Sequence, residues 1–310
     1  MPQPQVAYMK GEFLPVEQCS VNVRSKAINY GLGVFEGIRA YWNAGHGELY
    51  VFRMAEHYER LRNSARICRL PFRLSAAEMG EITLDLLRRN GHRENVYVRP
   101  LLFVDQEGLS PTLPLSAEGV ALTVWSQPLG DYLDGGGVTA VVSSWRRVGD
   151  NMIPARAKPT AAYLNSALAR AEARDANADE AIFLTADGYV SEGSAEHLFL
   201  FLDGKLVTST SQDDNLDGIT RRTVLQLARE ELGFETEVRR VSRTELYVAE
   251  EAFFVGTGAQ VTPVVEIDHR PVGGGEIGLR TQGVKELYHR VVLNEVPRYA
   301  GWLTPVYGTG

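Results

Sequence analysis

Apolar residues recur along the chain with two different spacings, one typical of helices and one of strands. Between residues 54 and 68 they stand three and four positions apart, at Met54, Tyr58, Leu61, Ala65 and Cys68, which places them on one face of a helix. Pro71 is expected to stop this helix. Ser75 and Glu78 form a capping-box pair that predicts the start of a second helix, ending near Gly91.

Strand patterns surround these helices. They cover residues 6–13 with a break at Gly11, and then 49–53, 95–104, 119–125 and 138–143. Three more strands follow residue 176, with turns at Asp187-Gly188 and Asp203-Gly204, dipeptides typical of hairpins. The last part of the chain alternates a helix at 220–232, a strand at 252–255 and a helix at 279–293.

A further helix is predicted over residues 160–176. It carries Ala161, Leu164, Leu168 and Ala171 on one face.

Turn residues cluster between the two halves of the chain, at 126–137, and the periodic pattern lapses there. We therefore predict a small N-terminal α/β domain over 1–125, a linker over 126–137 and a larger C-terminal domain over 138–310. The mixture of strands and helices favours an α/β (α+β) fold with mixed sheets and flanking helices. No GxGxxG segment directly follows one of the predicted strands, so a doubly wound nucleotide-binding fold has no support.

Composition removes several classes of protein. The chain has 310 residues, 44% hydrophobic and 23% charged, as expected for one large or two packed globular domains. A net charge of −7 argues against nucleic-acid binding, and the absence of an 18-residue apolar run argues against a membrane span. The first fifteen residues do not resemble an export signal. With only Cys19 and Cys68, we expect neither a disulfide framework nor a four-ligand metal site, and a cytoplasmic location.

Lysine is rare in this chain: five of the 32 basic residues are lysine and the rest are arginine. Lys158 stands between a predicted strand and a predicted helix, and Pro159 pushes it toward an extended conformation. Among small apolar residues and beside a helix N-terminus, a lysine amine tends toward the neutral form that Schiff-base chemistry needs. The alternative is an ordinary surface lysine in a loop.

Three segments are candidate anion sites. Residues 217–220 open a helix whose free N–H groups, with Gly218, can receive an anion, and residues 256–259 form a second backbone cup after a strand. Arg60 lies on a polar stripe beside the apolar face of the first helix, where an arginine can hold a phosphate. An ordinary capped helix start, a strand-ending turn and a solvated helix flank are the alternatives.

Two glutamates, Glu192 and Glu196, lie in an otherwise apolar, strand-rich stretch. Burying a carboxylate is costly unless it is paired, so this pattern predicts a partner cation or a protonated nitrogen. An edge strand protected by charge is the alternative.

Taken together and in this order, these segments resemble the fold-type IV pyridoxal-phosphate aminotransferases, and among them the branched-chain branch. The matching stretches are YGLGVFEGIR (30–39), HYERLRNSA (57–65), VYVRPLLF (96–103), SSW (143–145), the segment around Lys158, VSEGSAEHLF (190–199), LDGITRR (216–222) and VGTGAQVTP (255–263). The resemblance implies the two-domain fold of the D-amino acid aminotransferases and pyridoxal 5'-phosphate as cofactor.

The resemblance also implies roles for individual residues. Lys158 would form the Schiff base with the cofactor and act as base and acid in the proton shift. Glu192 would keep the pyridine nitrogen protonated, and Tyr163 would bind the 3-oxygen of the cofactor. The phosphate would be held by Arg60, Gly218, Ile219, Thr220, Gly256 and Thr257.

By the same resemblance, the reaction would be a ping-pong transfer of an amino group from leucine, isoleucine or valine to 2-oxoglutarate. Tyr97 and Arg99 point to one face of their strand and would recognise the α-carboxylate together with the N–H groups of Gly258 and Ala259. Tyr30, Phe35 and Tyr163 would face the aliphatic side chain. For Arg99 the alternative is a structural ion pair with Glu36. The resemblance implies at least a homodimer, with the loop around Tyr30 and Phe35 shared across its interface.

Other activities occur on the same fold: transamination of D-amino acids or (R)-amines, and the lyase reaction on aminodeoxychorismate. Residues 101–116 contain neither arginine nor histidine, which counts against the D-amino acid branch. From another class, a non-catalytic cofactor-binding protein would not need both Lys158 and Glu192. The chain departs from the family at His197, where asparagine is common, at Gly258, where alanine is frequent, in the loop 105–114 and at Trp125, which is displaced from a pocket tryptophan.

Overall fold

A computed structural model describes residues 5–130 and 136–308 of the chain. The described residues form two compact units, each built on its own sheet. The first contains 5–130, 157–161 and 291–308, and the second contains 136–156 and 162–290.

The units differ from the predicted domains in two places: Lys158 and the segment 291–308 belong with the N-terminal part of the chain. The predicted linker over 126–137 begins inside a strand, and its residues 131–135 lie outside the described part of the chain.

The first unit is built on an antiparallel sheet of eight strands in the order β17-β5-β4-β6-β7-β1-β2, with β3 beside β6. With labels in chain order, its elements are β1 (Val6–Met9), β2 (Glu12–Pro15), α1 (Lys26–Tyr30), β3 (Gly33–Phe35), β4 (Ile38–Asn43), β5 (Glu48–Phe52), α2 (Met54–Ile67), α3 (Ala76–Asn90), β6 (Val96–Val104), β7 (Val120–Pro128) and β17 (Leu303–Pro305). Side chains of α2 and α3, such as Leu61 and Met79, pack with sheet residues such as Ile38 and Val98 in a buried core.

Local signals explain the ends of several of these elements. Lys10 and Gly11, both with positive φ, make the turn between β1 and β2. The capping box of α3 is confirmed: Ser75 Oγ accepts from the N–H of Glu78 at 3.2 Å, and the Glu78 carboxylate accepts from the N–H of Ser75 at 2.7 Å. The helix α2 ends at Ile67, before Pro71, because the chain already leaves helical geometry at Arg69, whose φ is 54°.

The second unit is built on a mixed sheet of nine strands in the order β10-β9-β8-β15-β14-β11-β12-β13, with β16 beside β15. Its elements are β8 (Val138–Arg146), α4 (Tyr163–Asp175), β9 (Glu180–Leu184), β10 (Val190–Gly193), β11 (His197–Leu202), β12 (Lys205–Ser209), α5 (Ile219–Glu230), β13 (Thr236–Arg239), β14 (Glu251–Gly256), β15 (Gln260–Ile267), β16 (Arg270–Pro271) and α6 (Leu279–Val292). The predicted hairpin at Asp203-Gly204 is confirmed, since Leu202 pairs with Lys205 and both turn residues have positive φ.

The helix α4 buries a different face from the one its large apolar residues suggest. Leu164 and Leu168 are 68% and 36% exposed, whereas Ser166, Ala169 and Ala173 are buried. Small side chains let the helix approach strands β8 and β9 closely, and Ala169 and Ala173 pack with residues of those strands. The large apolar residues of α4 are thus left on its outer surface.

Among the described residues, none of the helices combines the length and the apolar character needed to cross a bilayer.

Candidate active site

Lys158 lies in an extended segment that runs along β3 in the first unit. The N–H of Lys158 donates to Ser64 Oγ at 3.1 Å, and its carbonyl oxygen accepts from the N–H of Phe35 at 3.0 Å. Pro159 forms an isolated bridge with Val34, and Thr160 Oγ1 donates to the carbonyl oxygen of Gly31 at 2.7 Å. The backbone on both sides of the lysine is therefore fixed, and its half-buried side chain places Nζ 5.1 Å from the centre of the Phe35 ring.

Arg99 is surrounded by aromatic rings. Its guanidinium carbon lies 4.4 Å from the ring centre of Phe35, 5.1 Å from that of Tyr97 and 5.8 Å from that of Trp125. Its Nη2 donates to the Tyr97 hydroxyl at 2.9 Å, and its buried Nε has no hydrogen-bond partner. In the described part of the chain no carboxylate lies within 4.0 Å of Arg99, so the guanidinium retains hydrogen-bonding capacity for an external anion.

The space for this cluster depends on Gly37. A Cβ atom at that position would overlap the Tyr97 hydroxyl. Gly37, the last glycine of the YGLGVFEGIR segment, thus makes room for the Tyr97 ring. Tyr30, the remaining predicted substrate residue of the first unit, ends α1 and is half-buried.

Glu36 pairs with Arg60 and His57, so the predicted alternative of an ion pair between Glu36 and Arg99 is wrong. The Glu36 side chain is fully buried, and its two oxygens accept from Arg60 Nε at 2.6 Å and Nη2 at 2.8 Å. His57 Nδ1 lies 2.8 Å from Glu36 Oε2. Arg99 lies in the strand β6, and its guanidinium is surrounded by the rings of Phe35, Tyr97 and Trp125.

Burial and the neighbouring charges fix the protonation states of Glu36 and His57. Burial favours the neutral acid, but the charge and hydrogen bonds of Arg60 and His57 outweigh it and hold the pKa of Glu36 well below its usual value. Burial lowers the pKa of His57 and outweighs the opposing effect of Glu36. The histidine is therefore neutral at pH 7 and donates from Nδ1, and the plane of the Arg60 guanidinium is fixed by two hydrogen bonds.

Glu192, in β10 of the second unit, is buried and held from two sides. Arg147 Nη2 lies 2.9 Å from Oε1, and His197 Nδ1 lies 3.3 Å from Oε2. The predicted need for a cation is confirmed for this carboxylate. The sequence did not identify Arg147 as this cation, because Arg147 directly follows β8 and nothing in its local sequence marks it.

Glu196 is also buried, but among the described residues it forms no salt bridge of its own, so the prediction of a partner cation is wrong for it. Its pKa is raised to about 8, first by burial and then by the nearby carboxylate of Glu180. Its Oε2 accepts from the N–H of Ala195 at 3.1 Å, while Arg170 lies beside Glu180 at 3.3 Å. Protonation, rather than a salt bridge of its own, allows Glu196 to be buried.

The two segments predicted to bind anions lie at the start of a helix and at the end of a strand in the second unit. Gly218 is the N-cap residue of α5 and has no side chain to cap the first turn, so the N–H groups of Ile219 and Thr220 are available to an anion. The residues Gly256 to Ala259 form the tight connection between β14 and β15, where Gly256 pairs with Gln260. Tyr163 is the first residue of α4 and is half-buried.

Within each unit, the structure brings some of the predicted residues into contact. In the first, Phe35 contacts both Lys158 and Arg99, which in turn binds Tyr97. In the second, His197 lies between Glu192 and Gly218. Taken by itself, the half-buried Lys158 amine of the first unit has the chemistry to react with the aldehyde of pyridoxal phosphate. The buried Glu192 carboxylate and the uncapped start of α5 in the second unit have the chemistry to bind a protonated ring nitrogen and a phosphate.

Comparisons with known proteins agree with this chemistry. The model of the family "amino-transferase class IV" matches residues 33–267. A probable branched-chain-amino-acid aminotransferase of Aquifex aeolicus is 45% identical over 302 residues, covering 97% of this chain and 96% of that protein.

Two solved structures are similar over nearly the whole chain. The branched-chain aminotransferase of Thermoproteus uzoniensis with norvaline has a TM-score of 0.91 and 43% identity, covering 98% of this chain and 99% of that one. The branched-chain amino acid aminotransferase of Thermobaculum terrenum in its PLP-bound holo form has a TM-score of 0.93 and 36% identity, covering 99% and 100%.

Proposed function

The chain belongs to the amino-transferase class IV family, and we propose that it transfers the amino group between branched-chain L-amino acids and 2-oxoglutarate with pyridoxal 5'-phosphate as cofactor. The observation that carries this proposal is the single ring of Phe35, which contacts both the Lys158 amine and the Arg99 guanidinium. A substrate carboxylate bound at Arg99 is thereby held at a set distance from the reacting amine.

When bound, the cofactor supplies an aldehyde that reacts with amines and a ring that withdraws electrons from the substrate Cα. Lys158 provides the amine and moves the proton at Cα, because its backbone is fixed on both sides while its side chain reaches past Phe35. Glu192 binds the protonated ring nitrogen, with Arg147 and His197 holding its carboxylate in place.

The phosphate is proposed to bind at the start of α5 and at the connection after β14. Ile219 and Thr220 donate backbone N–H groups, and Thr257 donates its hydroxyl. Gly218 and Gly256 let the backbone approach, and Tyr163 binds the 3-oxygen. Arg60 adds a guanidinium whose orientation is set by Glu36.

The substrate is proposed to bind with its carboxylate at Arg99 and Tyr97 and at the N–H groups of Gly258 and Ala259. The missing partner of Arg99 Nε and the aromatic surroundings of its guanidinium support this role. The rings of Tyr30, Phe35 and Tyr163 then face the side chain, which favours leucine, isoleucine and valine over charged donors.

We also propose that the enzyme is a cytoplasmic homodimer. Leu164, Leu168 and Trp145 are exposed apolar residues on α4 and β8 of one unit, and such groups are typical of interfaces. The small-domain loop around Tyr30 and Phe35 is proposed to be shared across the interface of this dimer. Both cysteines are free thiols, in keeping with a reducing compartment.

A panel of amino donors with 2-oxoglutarate tests the function. Both enantiomers of leucine, isoleucine and valine, and (R)-1-phenylethylamine, are supplied to the cofactor-loaded enzyme, and glutamate is measured. L-Leucine, L-isoleucine and L-valine are expected to be the best donors, and a clear preference for D-amino acids or for the amine would overturn the proposal. Light scattering of the wild type and of Leu164→Glu tests the dimer, and a monomeric wild type would contradict it.

A further inference from the structure

We propose that His197 is a positioning residue that orients the Glu192 carboxylate through its Nδ1 atom. This inference rests on the proposed contact between Glu192 and the ring nitrogen of the cofactor. In this role, His197 is a third member of the group that also contains Glu192 and Arg147.

The histidine ring is fixed between two parts of the proposed site. His197 is the first residue of β11 and pairs with Val255 of β14, so its backbone is held in the centre of the sheet. Its side chain is buried, with Nδ1 3.3 Å from Glu192 Oε2. The opposite edge of the ring packs on Gly218, where a Cβ atom would overlap Nε2. The ring therefore has little freedom to rotate.

The carboxylate of Glu192 then has its two oxygens held separately. Arg147 binds Oε1 at 2.9 Å and His197 approaches Oε2, so neither oxygen can exchange places with the other without breaking a contact. The charged residues of α5, Arg221 and Arg222, and the neighbouring Asp217 also belong to this end of the unit. Since Arg147 carries the compensating charge, the role left for His197 is directional: it donates from Nδ1 and fixes the plane of the carboxylate.

The two ring nitrogens can be separated by substitution. An asparagine amide places its nitrogen where a histidine has Nδ1, and a glutamine amide reaches the position of Nε2. His197→Asn is therefore expected to keep the contact with Glu192, whereas His197→Gln and His197→Leu lose it. We expect kcat for L-leucine to stay within about threefold in the asparagine variant and to fall roughly tenfold in the other two, with little change in KM.

A readout other than activity comes from the cofactor itself. In each purified holoenzyme, the absorbance of the bound cofactor is titrated with pH, and its dissociation constant is measured after removal and re-addition. The pH midpoint is expected to shift in the glutamine and leucine variants and to stay in place in the asparagine variant. His92→Leu is the matched control, since His92 is buried but contacts Ser126 in the other unit, and it should lower only the melting temperature.

The outcomes separate this inference from the proposed function. If Glu192→Gln loses kcat while the glutamine and leucine variants of His197 keep it, His197 only fills space and the inference is overturned. If His197→Asn is as impaired as His197→Leu, the Nδ1 contact is not what matters and the inference also falls. If Glu192→Gln itself retains full kcat and an unchanged spectrum, the proposed role of Glu192 fails first.

Discussion

The N–H of Phe35 donates a 3.0 Å hydrogen bond to the carbonyl oxygen of Lys158, so a strand of the YGLGVFEGIR segment holds the lysine backbone directly. The ring of the same residue contacts both the Lys158 amine and the Arg99 guanidinium. One residue thus sets the spacing between the Lys158 amine, proposed to be reactive, and the proposed carboxylate site.

Replacing this amine should abolish the reaction. In Lys158→Ala, the characteristic absorbance of the covalently bound cofactor and the transamination of L-leucine are both expected to be lost. The backbone contacts with Ser64 and Phe35 position Lys158 itself, and no other lysine of the sequence stands in the same setting. Lys205→Ala is the control, since Lys205 pairs with Glu235 and Glu237 in the second unit. A normal cofactor spectrum in Lys158→Ala would remove this lysine from its proposed role.

Glu192→Gln should fold and bind the cofactor, because glutamine has the same size as glutamate and its amide oxygen can still accept from Arg147. An amide cannot keep the ring nitrogen protonated, so kcat is expected to fall by roughly 10²-fold or more. Steady-state kinetics and the cofactor content of the purified protein check this together. Unchanged kcat at full cofactor loading would show that another group protonates the ring.

Arg99→Ala should raise KM for L-leucine and for 2-oxoglutarate, since both carry an α-carboxylate. Turnover of (R)-1-phenylethylamine, which has none, should change much less. The structural alternative would behave differently: a uniform loss for all substrates together with a lower melting temperature would indicate that Arg99 only stabilises the stack of Phe35, Tyr97 and Trp125.

Arg60→Lys should weaken the binding of pyridoxal 5'-phosphate more than that of pyridoxal, which lacks the phosphate. Lysine cannot reproduce the two parallel hydrogen bonds to Glu36, so the position of the charge is lost. Equilibrium binding to the apoenzyme measures both ligands. Arg62→Lys, on the exposed face of the same helix, is the control, and equal weakening of both ligands by Arg60→Lys would speak against a phosphate contact.

Glu196 predicts a pH dependence of stability. Because its pKa is raised from 4.5 to about 8, the folded state binds a proton that the unfolded chain has already released in this interval. The contribution of this group is therefore fully present below pH 4.5 and is lost as the pH rises through 8.

Glutamine imitates the protonated acid, so Glu196→Gln should melt close to the wild type at pH 5 and roughly 3 °C or more above it at pH 9. Calorimetry at the two pH values checks this. The exposed Glu81→Gln serves as control, and a melting difference that does not depend on pH would contradict the protonated state of Glu196.

Local chemistry was sufficient to predict most element positions, including the capping box of α3, the turn at Asp203-Gly204 and the strand that carries Arg99. The strands β3 and β4 were not predicted, because residues 33–41 are all buried and show neither the helical nor the alternating period. The strand β15 was missed as well, since Pro263 interrupts it.

Local sequence patterns could not predict which side chains from distant segments would become partners. The sequence indicated that Glu192 and Glu196 need partners. The pairing of Glu192 with Arg147, the protonation of Glu196 and the pairing of Glu36 with Arg60 rather than with Arg99 depend on which elements the sheets bring together. The exposed side of α4 was misjudged for a related reason: packing on the sheet selected small residues over large ones.

The strand β17 has a consequence for folding during translation. The buried carboxylate of Glu48 accepts hydrogen bonds from the N–H groups of Val306 and Tyr307, and β17 pairs with β5 along the edge of the first sheet. During translation, residues 5–130 emerge long before these partners, and a buried carboxylate deprived of them is costly. The N-terminal sheet can therefore be completed only after residues 303–307 have left the ribosome.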